Sequence, residues 1–343
     1  MSQDQPSSPK EPTAKKIVLV TGAGGFLGRE IAIQGLAQGY QVRGLARGHY
    51  PELEALGVDM FQGDLAEADP LFEAAKDCEA IFHVAAKAGA WGSTIEYERS
   101  NILGTENVIR ACQTHQIPKL IYTSSPSVIH AGGDIEGADE SLAYPTKFIA
   151  DYPRTKAIAE QQVIAAQSDH LNVVSLRPHL IWGPGDRHLI PRLLDRAQKG
   201  RLRYLAPEKL VDSVYIEDAA RAHWNAFDQL GVGAACNGQC YFITQDEPWP
   251  IADLIEGILK AHGMTYPRRL VSPKLAYGLG YLLELIYGLF RIQREPMMTR
   301  FIAEQLSTAH WFNIEKAKRD LNYKPRRSIK EALAELKSSL EDS

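Results

Sequence analysis

A chain of 343 residues exceeds what one hydrophobic core commonly organises, so a large domain with a smaller appended lobe is expected. Hydrophobic residues at 45% and charged residues at 23% match an ordinary soluble globular protein and exclude collagen-like, coiled-coil and wholly disordered chains. A formal net charge of -4 with no long basic run excludes nucleic acid as a partner.

Residues 1–15 are polar and rich in Pro and Ser, with no apolar core, and read as a disordered tail rather than a signal peptide. Cys78, Cys112, Cys236 and Cys240 are too few for a disulfide framework and fit a reducing cytosol. Cys236 and Cys240 lack a second Cys/His pair at zinc-ligand spacing, so no metal is expected.

From Ile17 the chain alternates short β-branched runs with longer amphipathic stretches, the pattern of βαβ units. The first run, 17–20, leads into TGAGGFLG, with Gly22, Gly25 and Gly28, and then a helix to about Gln38. Glycines let the backbone turn tightly and approach a pyrophosphate, and the helix N-terminus offers free N–H groups and partial positive charge. Strand, spacing and helix agree, so this is read as a dinucleotide site.

The second run, 41–46, ends in Leu45, Ala46 and Arg47. An acid there would accept hydrogen bonds from the adenosine ribose of NAD, whereas Arg47 suits a 2′-phosphate, so NADPH is favoured over NAD. Arg47 as a solvated loop residue is the competing reading. Asp64 and Leu65 follow the third run, 59–63, and are placed to meet the adenine. The fourth and fifth runs are 80–85 and 119–124, the latter opening into TSSPSV. Ser124 and Ser125 then lie at the carboxyl edge of the sheet, where a hydroxyl can meet a substrate carbonyl or simply turn the chain.

Tyr152 and Lys156 stand four residues apart on one helical face that Pro153 helps to start. A phenol with an ordinary pKa of about 10 exchanges protons poorly at neutral pH, and a neighbouring ammonium favours its ionised form. The pair is therefore a candidate general acid or base. A sixth strand, 172–176, completes the alternation. Short right-handed crossovers make this an α/β fold, a doubly wound parallel sheet with ligands beyond the carboxyl ends of its strands.

After Trp182 the texture changes. GPGD turns the chain, and a basic amphipathic helix is predicted from about Pro191 to Gly200. The nucleotide domain is assigned to 16–186, with 212–232 returning to it, and 187–343 mainly to a smaller mixed α/β substrate lobe. Leu275–Phe290 is the most apolar stretch, yet Lys274, Glu284 and Arg291 crowd it and it is short for a bilayer span. It reads as a helix packed over the substrate pocket, with peripheral membrane contact as the alternative.

Taken together, TGxxGFLG, the GDL aspartate, HVAA, TSS, YxxxK and RPxxIWGPGD resemble an extended short-chain dehydrogenase/reductase with a Rossmann domain, over nearly the whole chain. SLRPHLIWGPGD, LVDSVYIEDAARAH and YFITQDEPWP resemble the 3β-hydroxysteroid dehydrogenase group, including sterol decarboxylating dehydrogenases. AAKAGAWG and TSSPSV are closest to the 2-alkyl-3-oxoalkanoate reductases of long-chain olefin synthesis. The resemblance implies Tyr152 as acid/base, Lys156 as the residue that binds the nicotinamide ribose and tunes Tyr152, and Ser125 as the group that orients the carbonyl. It implies Gly22, Gly25, Phe26 and Leu27 at the pyrophosphate, and Ala85, Ala86 and Pro178 along the ribose and nicotinamide. NAD-using relatives carry an acid where this chain has Ala46 and Arg47.

The implied activity is an NADPH-dependent reduction of a keto group on a hydrophobic small molecule. A 2-alkyl-3-oxoalkanoate is the first candidate and a steroid or sterol 3β-alcohol the second; a sugar-nucleotide epimerase and a non-catalytic NADPH sensor are further alternatives. Lys87 and Trp91, past the fourth strand, are candidates for a substrate carboxylate and an acyl chain. Cytoplasmic location, with membrane association as the alternative, and a homodimer through two helices, one carrying Tyr152, complete the expectations.

Overall fold

The computed structural model describes residues 16–341; the tail expected over 1–15 lies outside them. In chain order the strands are β1 Ile17–Thr21, β2 Gln41–Ala46, β3 Asp59–Gln62, β4 Cys78–His83, β5 Lys119–Thr123, β6 Ile135–Ala138, β7 Asn172–Pro178, β8 Ile181–Trp182, β9 Leu210–Val211, β10 Val214–Tyr215, β11 Gln239–Ile243, β12 Trp249–Pro250 and β13 His310–Phe312. The main sheet runs β3-β2-β1-β4-β5-β7-β11, parallel throughout. Alternation along β1 sends Val18 and Val20 to one face and Leu19 to the other, each buried under helices. Strand order reverses direction between β1 and β4, which opens a crevice at their carboxyl ends.

Two elements cross the division at 186/187. β11 adds the seventh strand of the main sheet beside β7, and β6 joins β12, β9 and β13 in the small sheet. The helix Ile216–Gln229 packs on the helix Phe26–Ala37, where Trp224 lies against Gly35 and its Nε1 donates to the Ile31 carbonyl at 3.1 Å.

Three predicted elements shift. The fourth strand stops at His83 instead of reaching Ala85, because the amides of Val84 and Ala85 donate to Thr21 Oγ1, at 3.2 and 3.3 Å, rather than to a strand neighbour. The helix placed at Pro191–Gly200 occupies Leu189–Gln198, since the Asp186 carboxylate accepts from the amides of His188, Leu189 and Ile190 and starts it early. The apolar stretch forms the helix Pro273–Leu289, but only Ala276 and Gly280 are buried. Gly280 lets it approach the backbone closely, as a Cβ there would lie 2.6 Å from the Thr299 carbonyl carbon. The expected broad packing over a pocket is thus replaced by a narrow contact and a wide exposed face. Among the described residues no helix is long and apolar enough to cross a membrane.

The helix Asp151–Ala165 is locked to β7 by charge. Arg177 and Glu160 are 2% and 0% exposed, with Arg177 Nη2 donating to Glu160 Oε2 at 2.7 Å and Nε to Oε1 at 3.0 Å. Ser175 and Tyr144 donate to the same carboxylate at 2.6 and 2.8 Å. Burial pushes the Glu160 carboxyl up, but Arg177 and these hydroxyls outweigh it and hold it below its ordinary value. Removing one partner strands the other as a buried charge, so Glu160→Ala is expected to cost about 3–5 kcal/mol in denaturant unfolding. A loss under about 1 kcal/mol, the scale of a surface pair, would show that this ion pair does not secure the helix.

Candidate active site

The crevice is built first by the glycine turn. Gly22 adopts φ +71° at the end of β1 and donates its amide to the Leu45 carbonyl at 2.7 Å. Gly25, whose amide donates to the Gly22 carbonyl at 2.8 Å, is the N-cap of the helix Phe26–Ala37 and brings no side-chain cap, so the first helical N–H groups stay open to a ligand. A Cβ on Gly28 would sit 2.2 Å from the Gly22 oxygen, and one on Gly22 would meet Ala85 Cα at 2.8 Å. Only bare backbone allows this approach, and the resulting cradle fits a pyrophosphate. Phe26 is half-buried and Leu27 buried behind it, Ala85 is half-buried and Ala86 exposed on the facing loop, and Pro178 closes β7 beside Ile243.

Ser125, Tyr152 and Lys156 converge on the carboxyl edge beside β5. The half-buried Tyr152 phenol faces the Ser125 side chain, and Ser125 Oγ lies 2.9 Å from Ser127 Oγ. Lys156 is buried one turn on, its Nζ donating to the Thr123 carbonyl at 2.6 Å and lying 4.2 Å from the Tyr122 ring centre. Its charge therefore faces Thr123 and Tyr122. Burial pushes the phenol above its ordinary value, opposed by the Ser125 hydroxyl, while burial pushes Lys156 down to about 7, opposed by Glu160. A phenol held protonated beside a hydroxyl can hand a proton to an oxygen that gains negative charge.

A polar relay unread from sequence ties these groups together. Asn101 lies on the π-helical turn Glu98–Leu103, where the wide turn faces its side chain inward. Its Oδ1 accepts from the Lys87 amide at 2.7 Å, and its Nδ2 donates to the Lys87 carbonyl at 3.1 Å and to Thr155 Oγ1 at 2.9 Å. Asn101 thereby joins the loop after β4 to the helix carrying Tyr152. The Asn101 carbonyl accepts from Thr105 Oγ1 at 2.6 Å, and His83 bridges Thr105 Oγ1 and Thr21 Oγ1 at 3.0 and 2.8 Å. Burial, with Lys156 nearby, lowers His83 to about 3, so the imidazole is neutral. The HVAA motif signalled His83; nothing in the sequence pattern signalled Asn101.

The remaining candidates are dispersed. Arg47 is exposed just past β2, its carbonyl accepting from Gln62 Nε2 at 3.0 Å, and the Tyr50 ring lies over Gly24 of the glycine turn. Asp64 Oδ1 accepts from the Ala66 amide at 3.0 Å, and the buried Leu65 offers its carbonyl to Asn107. Lys87 pairs with Glu96 at 2.7 Å at the mouth of this loop. Trp91 Nε1 donates to the Ile292 carbonyl at 2.9 Å and its ring meets Tyr287 edge-on, which ties this loop to the apolar helix.

The sequence matches the profile of the 3-beta hydroxysteroid dehydrogenase/isomerase family over residues 19–274. The chain belongs to that family. It is 48% identical over 326 residues to the 2-alkyl-3-oxoalkanoate reductase of Stenotrophomonas maltophilia, covering 94% of this chain and 98% of the relative. It is 33% identical over 326 residues to the sterol-4-alpha-carboxylate 3-dehydrogenase, decarboxylating, of Mus musculus, covering 93% and 89%. The structure of MoeE5 in complex with UDP-glucuronic acid and NAD shares the fold, with a TM-score of 0.73 at 23% identity over 95% of this chain and 99% of that one. This 3-beta hydroxysteroid dehydrogenase/isomerase family member is an oxidoreductase with a site for a nicotinamide cofactor.

In this family member Asn101→Ala would release the loop after β4 from the Tyr152 helix and leave the Lys87 amide and carbonyl unpaired. Turnover is expected to fall about tenfold to a hundredfold, with a loss of about 1–3 kcal/mol in stability. Unchanged steady-state kinetics would show that the two segments hold their places without Asn101.

Proposed function

We propose that the chain is an NADPH-dependent reductase that converts the keto group of a 2-alkyl-3-oxoalkanoate to the 3-hydroxy acid. The observation that carries this reading is the convergence of Ser125, Tyr152 and Lys156 at the sheet edge beside the glycine turn, on a chain 48% identical to a reductase named for that substrate.

NADPH, when bound, supplies the hydride that reaches the carbonyl carbon. The glycine turn and the open helix N-terminus would hold its pyrophosphate, and Arg47, which has no ion-pair partner among the described residues, would pair with the 2′-phosphate. Asp64 and Leu65 would border the adenine, Ala85, Ala86 and Pro178 would line the ribose and nicotinamide, and Lys156 would donate to the ribose hydroxyls. Ser125 would donate to the substrate carbonyl oxygen and Tyr152 would deliver its proton there as the C–H bond forms. Asn101 and His83 would hold the surrounding loops in place.

Outside the crevice, Leu275, Leu279, Leu282, Ile286 and Leu289 repeat at four- and three-residue spacing along one exposed helical stripe. The acids within reach are engaged, Glu284 by Arg300 at 2.6 Å and Glu295 by Arg192 at 2.8 Å. Lys274, Arg291 and Arg294 are exposed and, among the described residues, without ion-pair partners. An apolar face flanked by free cations suits peripheral contact with an anionic lipid surface.

The test is cofactor oxidation with a long-chain 2-alkyl-3-oxo acid, offering NADPH and NADH in parallel and a 3-ketosteroid as competing substrate. Turnover should require the keto acid and prefer NADPH; Tyr152→Phe should lose about 10²–10⁴-fold in turnover while still binding NADPH. Arg47→Ala should weaken NADPH about tenfold or more and leave NADH little changed. Turnover only with the steroid and NADH would replace this reading by a 3β-dehydrogenase. For the lipid contact, flotation with phosphatidylglycerol vesicles should carry the protein up and Leu282→Asp should abolish it; a protein that stays in the bulk phase removes that contact.

A further inference from the structure

Ser127 is the group beside the candidate active site to which no role has been given. Its Oγ lies 2.9 Å from Ser125 Oγ, and its amide donates to Ser125 Oγ at 3.2 Å. Both serines are half-buried, and Pro126 between them is buried. Their spacing is fixed by a 3-10 turn over Pro126–Ile129, in which the Val128 amide donates to the Ser125 carbonyl and the His130 amide to the Ser127 carbonyl, each at 3.2 Å. The two hydroxyls are thus a preorganised pair rather than two mobile side chains.

Proton accounting shows what the pair offers. Ser125 Oγ already accepts from a backbone amide, and one hydroxyl proton suffices for the Oγ···Oγ contact, so one serine proton remains to donate outward beside the Tyr152 phenol. When a ligand oxygen replaces the mutual contact, both serine protons turn outward. The cations around Tyr152 are engaged elsewhere: Lys156 by the Thr123 carbonyl, Lys87 by Glu96, and Arg154 by Asp151 and Glu98. The donors that stand uncommitted beside Tyr152 for an acid substrate are then the neutral serine hydroxyls.

In a 3-oxo acid the keto oxygen and one carboxylate oxygen are separated by three carbons, and in the syn arrangement they come to hydrogen-bonding separation from each other. Two hydroxyls in mutual contact match that array. We infer that Ser127 is the specificity-determining residue for the acid, donating to the substrate carboxylate while Ser125 donates to the keto oxygen. This rests on the reductase reading above and deepens it. The pair makes the site a reader of the β-keto acid unit, since a simple ketone leaves Ser127 without its second acceptor. Hydrogen bonds to charged groups contribute more than neutral ones, so the acid gains an advantage that a ketone of equal chain length lacks.

The experiment compares kcat/KM for a 2-alkyl-3-oxo acid and for the ketone it becomes on losing carbon dioxide, in wild type, Ser127→Ala and Ser127→Thr, with thermal unfolding of each variant. Wild type should favour the acid. Ser127→Ala should lower the acid-to-ketone ratio about tenfold to a hundredfold, chiefly through KM for the acid, and Ser127→Thr, which keeps the hydroxyl, should restore most of it. If wild type favours the acid but Ser127→Ala lowers both substrates equally or neither, Ser127 only orients Ser125 and this inference fails while the reductase reading stands. If wild type reduces both substrates equally well, the acid is not read at all and this inference fails while the reductase reading stands; if wild type reduces neither, the reductase reading fails and this inference with it.

Discussion

A side chain on Gly28 would lie 2.2 Å from the Gly22 oxygen, so the helix Phe26–Ala37 meets the end of β1 only because both positions lack one. From that contact follow the direction of the helix, the open amides at its start and the place of Ala85 against Gly22. Each group proposed to touch the cofactor is registered, through the parallel sheet, to this one turn. The helix in turn receives Trp224, so a segment from the second half of the chain is held by the same element that shapes the phosphate cradle.

Around this frame a run of buried polar side chains in the crevice hydrogen-bonds one to the next. Thr21, His83, Thr105, Asn101 and Thr155 form a continuous chain from the end of β1 to the helix of Tyr152. A neutral His83 suits this role, because an imidazolium beside the buried Lys156 would add a like charge. The Arg177–Glu160 pair does similar work below, with Glu160 on the same helix as Tyr152 and Lys156. Burial acts on both groups of this helix: it pushes the Tyr152 phenol above its ordinary value and Lys156 down to about 7.

The parallel sheet and glycine turn were legible because they are written in local signals: β-branched runs, spaced glycines and a Tyr and Lys one helical turn apart. Asn101 was not, since its importance comes from a π-helical turn that rotates it toward residues far away in sequence. The position of Lys87 past β4 was visible in the sequence, whereas its pairing with Glu96 was not. β11 escaped for a similar reason: its place at the sheet edge depends on a long crossover that returns from the small lobe.

The amino-acid sequence by itself determined the α/β class, the dinucleotide turn and the trio Ser125, Tyr152 and Lys156 as candidates, because each depends on residues close together in the chain. Only the tertiary structure decided where charge resides. It turned the Lys156 ammonium to Thr123 and Tyr122, engaged Lys87 with Glu96, left one face of the helix Pro273–Leu289 uncovered and set Ser127 against Ser125. Ion pairing, burial and hydroxyl contacts act through space over a few ångströms, and sequence separation does not report that distance.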